Sequence, residues 1–229
     1  MNKQAEAQLP EWLVAAPLFR DRFDAGRQLA AALSERLKDE CIVVGLARGG
    51  VQVAAEVARS LNAPLDVVAV RKVGHPMQPE YALGAVTPGD GTYLRAGDDL
   101  PDDMLTAVVE RARRAAEALD RRLHASRPPV DLAGRTVVLA DDGLATGATM
   151  IAALRWARAR GASETVAAVP VAAADSAKLV EREASQLVCP HTVTDFMAVG
   201  LWYERFPQVG DDEVIRLLEQ AQSRQRSAS

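Results

Sequence analysis

The feature of this sequence that most constrains its fold is the regular alternation of short, β-branched apolar runs with alanine-rich segments of helical periodicity. We predict core strands at residues 41–46, 65–70, 136–140, 165–171 and 186–189. We predict helices at residues 24–38, with Asp24 as the N-cap, and at 51–60, 101–125, 146–160, 176–183 and 211–220. Strands that alternate with helices are typical of βαβ units. The sequence therefore predicts an α/β fold with a parallel β-sheet core flanked by helices.

The segment from residue 71 to residue 97 interrupts this alternation. Glycine and proline recur there too often for a long regular element, as the sequence shows. We predict an exposed loop followed by a short β-hairpin insertion, in which residues 83–86 pair with 92–94. Two further segments are predicted to lack regular structure, the tail at 191–205 and the polar end at 223–229.

The charge balance excludes several classes of partner. The net charge is -4 and the isoelectric point is about 5.5, whereas a nucleic-acid or anionic-membrane surface needs clustered Lys and Arg. No apolar stretch approaches the ~20 residues of a membrane span, and the polar residues 1–8 do not resemble a secretory leader. Cys41 and Cys189 stand singly in apolar runs, as in a reducing compartment. We therefore expect a cytoplasmic protein with no nucleic-acid and no membrane partner.

One strand–turn–helix segment carries most of the chemical information. After the apolar run 137–140 come two carboxylates, Asp141 and Asp142, and then a turn rich in Gly and Thr at 143–149 that opens a helix. A helix N-terminus holds phosphate through free N–H groups and its dipole, and glycines allow close approach. Carboxylates beside such a turn suit sugar hydroxyls, because like charges repel. The segment predicts a site for a ribose 5-phosphate.

This segment resembles the phosphoribosyl-pyrophosphate signature of type I phosphoribosyltransferases: four hydrophobic residues, two acidic residues and Gly-x-x-Thr-Gly-x-Thr, with every fixed position filled. The resemblance implies that Asp141 and Asp142 engage the ribose 2- and 3-hydroxyls. It implies that the 5-phosphate is bound by Gly143, Leu144, Ala145, Thr146, Gly147, Ala148 and Thr149. The alternative is a phosphate-free turn with an exposed Asp pair. A Walker P-loop is excluded, because Gly-Lys-[Ser/Thr] is missing.

The resemblance also implies a domain organisation. It covers a core of about residues 19–190 within a single domain, 1–229. A small variable hood at about 191–210 and a C-terminal helix at 211–221 complete the expected chain.

A second strand–turn–helix segment lies at residues 45–51. By itself a Gly-Gly turn after a strand is more often a matter of geometry than of ligand binding. In the resembled family, backbone amides after the first core strand bind pyrophosphate, often across a non-proline cis peptide. The resemblance assigns that role here to Ala47, Arg48, Gly49 and Gly50. The alternative for Arg48 is an ordinary surface arginine.

The end of the second predicted strand carries a basic pair, Arg71 and Lys72. Orotate-type members of the family have an Arg-Lys pair here, followed by a mobile loop that closes over the reaction. The resemblance implies that this pair joins Asp141 and Asp142 as the catalytic set, with His75 in a lid at 74–81. A closed lid would exclude water from an oxocarbenium-like intermediate. The alternative for His75 is a plain solvent-exposed histidine.

Residues 193–206 gather large side chains in a protein with only 4% aromatic residues. In the family, a small hood presents an aromatic platform to the nucleobase, which implies base-binding roles for Phe196, Trp202 and Tyr203. The alternative is that these rings pack the C-terminal segment onto the domain.

The activity implied by the resemblance is transfer of a phosphoribosyl group from phosphoribosyl pyrophosphate to a small nitrogen nucleophile, with Mg²⁺ as cofactor and a nucleobase as the expected acceptor. Substrate oxygens chelate Mg²⁺, so no direct protein ligand is predicted. Hypoxanthine-guanine-type members carry a catalytic Asp where this chain has Ala145, which disfavours that subclass. Family members commonly associate, so a homodimer is expected. Two alternatives stay open: a regulator that senses the sugar phosphate, and a phosphoesterase or nucleotide-binding protein, although no Gly-x-Ser-x-Gly elbow occurs.

Overall fold

The computed structural model describes residues 16–37, 40–95 and 100–228. The strands of these residues are β1 (Cys41–Ala47), β2 (Leu65–Ala69), β3 (Arg71–His75), β4 (Gln78–Val86), β5 (Thr92–Leu94), β6 (Thr136–Ala140), β7 (Glu164–Ala168), β8 (Val171–Ala173), β9 (Gln186–Val188) and β10 (His191–Val193). The α-helices are α1 (Arg22–Ser34), α2 (Gly50–Ser60), α3 (Asp102–Leu123), α4 (Ala148–Ala159), α5 (Ala174–Glu181) and α6 (Asp211–Ala228). Among the described residues, no helix is both long and apolar enough to cross a membrane.

The centre of the fold is a parallel sheet. Within the described residues it has five strands in the order β2-β1-β6-β7-β9, and every neighbouring pair runs parallel. These are the five strands expected from the apolar runs. The predicted α/β fold with helices flanking a parallel core is confirmed.

Successive residues of each central strand enter opposite apolar layers. Val43 and Val138 pack into the layer that contains α1, α2 and α6, whereas Val44 and Leu139 pack into the layer that contains α4 and α5. All four side chains are fully buried. A parallel sheet covered on both faces needs apolar residues at every position, which explains the continuous apolar runs.

The exposed loop predicted between residue 71 and the hairpin that begins at residue 83 is wrong. This segment forms β3 and the start of β4, which join β5 in an antiparallel sheet of three strands. The register shifts on either side of Gly74, so an irregularity in the ladder absorbs a residue that would break a regular strand. The hairpin predicted from 83–86 and 92–94 is confirmed by the pairing of β4 with β5.

Several element boundaries also differ from the predictions. The first helix is capped by Asp21, whose carboxylate accepts from the Asp24 N–H at 2.9 Å, and it ends at Ser34 instead of residue 38, which lies outside the described residues. The strand predicted at 165–171 is divided, because Pro170 has no N–H to continue the ladder. Its second part, β8, pairs with β10, so the tail at 191–205 is not wholly irregular. The polar end is not frayed, since α6 continues to Ala228.

The order in which the strands are connected determines where the candidate site lies. The connection from β1 leads through α2 to β2 on one side, whereas β6 lies beside β1 on the other side and leads through α4 to β7. Such a reversal opens a crevice at the carboxyl ends of the strands, where ligands bind in open α/β sheets. The turn after β1 and the turn after β6 both lie at this edge.

Candidate active site

The turn at 47–50 and the Asp pair are in direct contact. Gly45 of β1 is paired with Ala140 of β6, so the two turns leave the sheet side by side. A Cβ atom on Gly50 would lie 2.6 Å from the carbonyl oxygen of Ala140, and one on Gly49 would overlap Oδ2 of Asp142. Backbone atoms therefore require glycine at position 50, and a side chain at position 49 would displace the Asp142 carboxylate; the sequence alone reveals neither reason.

The two carboxylates have unusual electrostatics. Burial and the neighbouring Asp142 carboxylate raise the pKa of Asp141 well above its usual range, against the opposing charges of Arg22 and Lys72. Burial also raises the pKa of Asp142, and Arg22 opposes that shift. Two buried carboxyl groups this close resist carrying two full negative charges, so a ligand that brings hydroxyl donors or a cation is favoured there.

Asp142 is held by a residue that the sequence analysis missed. The Arg22 side chain is 6% exposed, and its Nε donates to Oδ2 of Asp142 at 2.7 Å. Its Nη1 donates to the carbonyl oxygen of Pro207 at 2.7 Å, and its guanidinium carbon lies 3.6 Å from the ring centroid of Phe206. No local signal distinguishes Arg22 from a surface arginine of a first helical turn.

The glycine- and threonine-rich turn leads into α4 as predicted. Gly147 is the N-cap and adopts a left-handed conformation with φ of 77°. Thr146 is exposed and Thr149 is partly buried. The N-terminal N–H groups of a helix have no partner within the helix, so this end offers donors to an anion.

Leu144 has a structural role in this turn. Its side chain is 2% exposed, and its N–H donates to Val171 at 3.0 Å while its carbonyl accepts from Ala173 at 2.9 Å. Leu144 therefore anchors the turn to β8, and its N–H is already engaged. The predicted phosphate contact of Leu144 is not supported by this arrangement. Ala145 is exposed, and its carbonyl accepts from Ser176.

Basic side chains lie near the turn at 47–50. The peptide bond between Ala47 and Arg48 is cis, as the resemblance implied for the pyrophosphate loop. Nε of Arg48 donates to Asp211 at 2.7 Å. Burial, together with the nearby charge of Arg48, lowers the pKa of Arg71, and Lys72 is close enough to Asp141 to act on its titration. The structure thus brings Arg48, Arg71 and Lys72 to the edge that carries the Asp pair.

His75 lies at the end of β3, opposite Gln78 in the hairpin. Its Nδ1 accepts from the N–H of Met77 at 3.2 Å, and its ring lies edge-on to Tyr81 at 6.3 Å. Met77 is 80% exposed at this tip. The predicted lid is therefore a β-hairpin rather than an irregular loop, and its closing role stays a prediction.

The predicted hood residues differ in exposure. Trp202 and Tyr203 are 8% and 5% exposed and pack in a cluster with Phe19, whereas Phe196 is partly buried. The Tyr203 hydroxyl donates to the backbone carbonyl of Asp142 at 2.5 Å. Because protein covers their rings, a stacking role for Trp202 and Tyr203 finds no support here. Phe206, which is 36% exposed, presents more ring surface.

The carboxylate oxygens of the Asp pair fit a magnesium ion. Asp141 and Asp142 offer the hard oxygens that Mg²⁺ prefers. Among the described residues, no group of three or more His, Cys, Asp or Glu side chains forms a cage for a metal ion.

Comparisons with known proteins identify the family. A protein-family model described as "Phosphoribosyl transferase domain" matches residues 20–199. A Mycobacterium tuberculosis protein, provisionally named a phosphoribosyl transferase, is 44% identical over 209 residues, a match that covers 89% of this chain and 47% of that protein. This chain therefore spans about half the length of that relative.

Two further matches cover most of both chains. A uracil phosphoribosyltransferase from a Nocardioides species is 32% identical over 167 residues, which cover 69% of this chain and 72% of that protein. The crystal structure of TT1426 from Thermus thermophilus is similar with a TM-score of 0.75 at 42% identity, covering 88% of this chain and 98% of that chain. The signature turn, the parallel-sheet fold and these relatives agree, and the chain belongs to the phosphoribosyl transferase family.

Proposed function

We propose that this protein transfers the 5-phosphoribosyl group of phosphoribosyl pyrophosphate to a ring nitrogen of a nucleobase and releases pyrophosphate. The observation that carries the proposal is the contact between the Asp pair and the glycine turn at 47–50. The substrate has a sugar with a phosphate at one end and a pyrophosphate at the other. Such a substrate needs hydroxyl acceptors between two anion sites. The position of the Asp pair, beside the turn at 47–50 and just before the N-terminus of α4, supports the proposal.

The sugar end of the substrate would be held by two neighbouring features. The N-terminus of α4, with Gly147 as its N-cap, offers N–H groups and a positive dipole end to the 5-phosphate. Asp141 and Asp142 would accept hydrogen bonds from the ribose hydroxyls. Their negative charge would also favour the positive charge that develops on the sugar in the transition state.

The basic side chains near the turn at 47–50 would assist the departure of pyrophosphate. The bond between the anomeric carbon and the pyrophosphate oxygen breaks, and its electron pair leaves with that oxygen. The acceptor nitrogen forms the new bond with inversion, and its proton passes to water. Arg48, Arg71 and Lys72 would stabilise the departing charge, and preorganised groups of this kind contribute about 3 kcal/mol each in well-studied sites.

When bound, Mg²⁺ would supply further positive charge against the departing pyrophosphate. The part of this chain is to orient the substrate that carries the ion. Asp141 and Asp142 would do so from the sugar side, and the turn at 47–50 from the pyrophosphate side.

The acceptor would be a nucleobase bound beneath the hood. The similarity to a uracil phosphoribosyltransferase supports this choice, as does the partly exposed Phe206 ring, which lies against Arg22, the partner of Asp142. Ala145 stands where the resemblance places the catalytic Asp of hypoxanthine-guanine-type enzymes, so this chain has no carboxylate at that position to protonate a purine.

The test is incubation of the purified protein with Mg²⁺, phosphoribosyl pyrophosphate and one of uracil, adenine, guanine, hypoxanthine or xanthine. We expect pyrophosphate release with a matching ribosylated product by mass spectrometry. Replacing both Asp141 and Asp142 with Asn should lower kcat/KM by a factor of about 100 or more. The matched control replaces Asp102 and Asp103, an adjacent and exposed pair in α3, and should keep the wild-type rate.

Different results would point to different functions. Binding of phosphoribosyl pyrophosphate without turnover of any base would favour a sensing role. Release of inorganic phosphate in place of pyrophosphate would favour a phosphoesterase. Full turnover in the Asp141/Asp142 double variant would contradict the assignment of the sugar site.

A further inference from the structure

A cluster of charged residues joins the C-terminal helix to the turn at 47–50. Asp211 is the first residue of α6. Its Oδ1 accepts from Nε of Arg48 at 2.7 Å, and its Oδ2 accepts from Nη2 of Arg122 at 3.0 Å. Arg122 lies in the last turn of α3. One carboxylate thus bridges two arginines from distant parts of the chain.

A third arginine belongs to the same cluster. Arg71 is partly buried at the start of β3, and its pKa is lowered by burial and by the charges of Arg48 and Arg122, against the opposing charge of Asp211. The cluster formed by Arg48, Arg71, Arg122 and Asp211 therefore has more positive than negative charge. Such an excess beside the turn at 47–50 suits a polyanion better than a single carboxylate.

The position of Asp211 is set by the packing of α6 and not by the ion pairs alone. Val214 and Leu218 of α6 are fully buried against the core. Glu213 accepts a hydrogen bond from Gln52 of α2 at 2.7 Å, and the Gln52 side chain is 6% exposed. A rigid helix thus holds the Asp211 carboxylate among the arginines when no substrate is present.

The ion pairs of Asp211 are weak enough for pyrophosphate to displace the carboxylate. The side chains of Arg48 and Arg122 are 42% and 56% exposed, and exposed ion pairs contribute little to stability. A pyrophosphate carries several negative charges, so it attracts the same guanidinium groups more strongly than one carboxylate does.

We propose that Asp211 is a positioning residue that holds the side chains of Arg48 and Arg122 at the turn at 47–50 in the empty protein. The Asp211 carboxylate then competes with pyrophosphate for these two side chains. This inference rests on the proposed function, since it takes that turn as the pyrophosphate site. It adds a residue from outside the matched family domain, which ends at residue 199. Competition by a fixed carboxylate weakens pyrophosphate binding and so favours product release.

Titration calorimetry with magnesium pyrophosphate on the full chain tests this role. We expect Asp211→Asn to bind pyrophosphate about three- to tenfold tighter than wild type, because a competing charge is removed. Asp212→Asn is the matched control: Asp212 is exposed in the same helical turn, so the change in net charge and in the helix terminus is the same. It should stay within about twofold of wild type. Asp211→Glu, which restores a carboxylate, should bind more weakly than Asp211→Asn.

Steady-state kinetics give a second measurement. In Asp211→Asn, the KM for phosphoribosyl pyrophosphate should fall, and pyrophosphate should become a stronger product inhibitor. A substitution that merely loosens α6 would not improve either quantity. Pyrophosphate affinity in Asp211→Asn that equals the control, or that is weaker than wild type, would overturn the proposal.

A second variant decides the matter if Asp211→Asn does not fold. Arg122→Gln should bind pyrophosphate about three- to tenfold more weakly, because one cation of the cluster is lost. Arg121→Gln, an exposed neighbour in the same turn, is its control, and equal affinity of the two would refute the inference. If the wild-type protein takes up no magnesium pyrophosphate, the proposed function fails and this inference fails with it. If wild type and Asp211→Asn bind magnesium pyrophosphate equally, only the role of Asp211 is refuted and the proposed function stands.

Discussion

Nε of Arg22 lies 2.7 Å from Oδ2 of Asp142, and this ion pair joins residues that are 120 positions apart in the chain. The same guanidinium donates to the carbonyl oxygen of Pro207 and lies against the Phe206 ring. The helix that precedes the core, the turn after β6 and the C-terminal segment therefore meet at the second carboxylate of the signature. That carboxylate is positioned by groups outside the signature.

Replacing Arg22 with Met should destabilise the protein. The change leaves the Asp142 carboxylate, 15% exposed, without its partner, and breaking a buried pair in this way costs about 3–5 kcal/mol. Urea unfolding at neutral pH measures the change. Arg20→Met is the control, because the Arg20 side chain is 65% exposed and its loss should cost less than about 0.5 kcal/mol. Equal stability of the two variants would contradict the structural role of Arg22.

Gly147→Ala should separate phosphate binding from backbone strain. Gly147 has φ of 77° and Gly134 has φ of 69°, so an alanine at either position costs about 1–2 kcal/mol in the folded state. Gly134 has open space around it and serves as the matched control. Only Gly147→Ala should weaken phosphoribosyl pyrophosphate binding in calorimetry, by about tenfold or more, since only Gly147 begins the helix that would hold phosphate. Similar losses of affinity in both variants would remove the phosphate site from α4.

His124 should make the stability depend on pH. Its Nε2 lies 3.1 Å from Oδ1 of Asp66, which is 1% exposed. Hydrogen bonds and charges of Asp120 and Asp66 outweigh burial and raise the pKa of His124 to about 9. A raised pKa gives stability that is complete below the unfolded value of about 6.5 and is lost as the pH rises through 9. The pKa of Asp66 is lowered despite its burial, chiefly by its hydrogen bond from His124, so its contribution is lost only in acid.

Urea unfolding between pH 6 and pH 10 tests this linkage. Wild type should lose up to about 3 kcal/mol across the range, and His124→Gln should lose much less, because its side chain does not titrate. His75→Gln, in the β3–β4 hairpin, should keep the wild-type slope. Parallel curves for wild type and His124→Gln would show that His124 does not control the slope.

Tyr203→Phe should distinguish a packing role from a base-binding role. The substitution removes the hydroxyl that donates to the Asp142 carbonyl at 2.5 Å, and loss of a partner by a partly buried carbonyl costs about 1 kcal/mol. Because the ring is only 5% exposed, KM for the acceptor base should be unchanged. Thermal unfolding and steady-state kinetics measure the two effects. A large rise in KM for the acceptor base, with unchanged stability, would instead indicate that Tyr203 binds the base.

The sequence predictions succeeded where composition alone indicates the structure. The parallel core was predicted well, because each strand is an uninterrupted apolar run and burial on both faces requires that composition. The segment at 71–81 was predicted wrongly, because its Gly and Pro indicate breaks whereas pairing with β4 stabilises a strand with an irregular ladder. Pairing with a neighbouring strand, rather than the composition of the segment itself, decided that this segment is a strand.

The sequence by itself determined the fold class and the signature turn, since apolar periodicity and the run from Asp141 to Thr149 are local patterns. Only the tertiary structure decided what surrounds that turn: the contact with Gly49, the ion pair to Arg22 and the bridge from Asp211 to Arg48. These partners lie far apart along the chain. Their meeting depends on the order of parallel strands in the sheet and on the packing of α1 and α6 against it, which no local pattern of residues specifies.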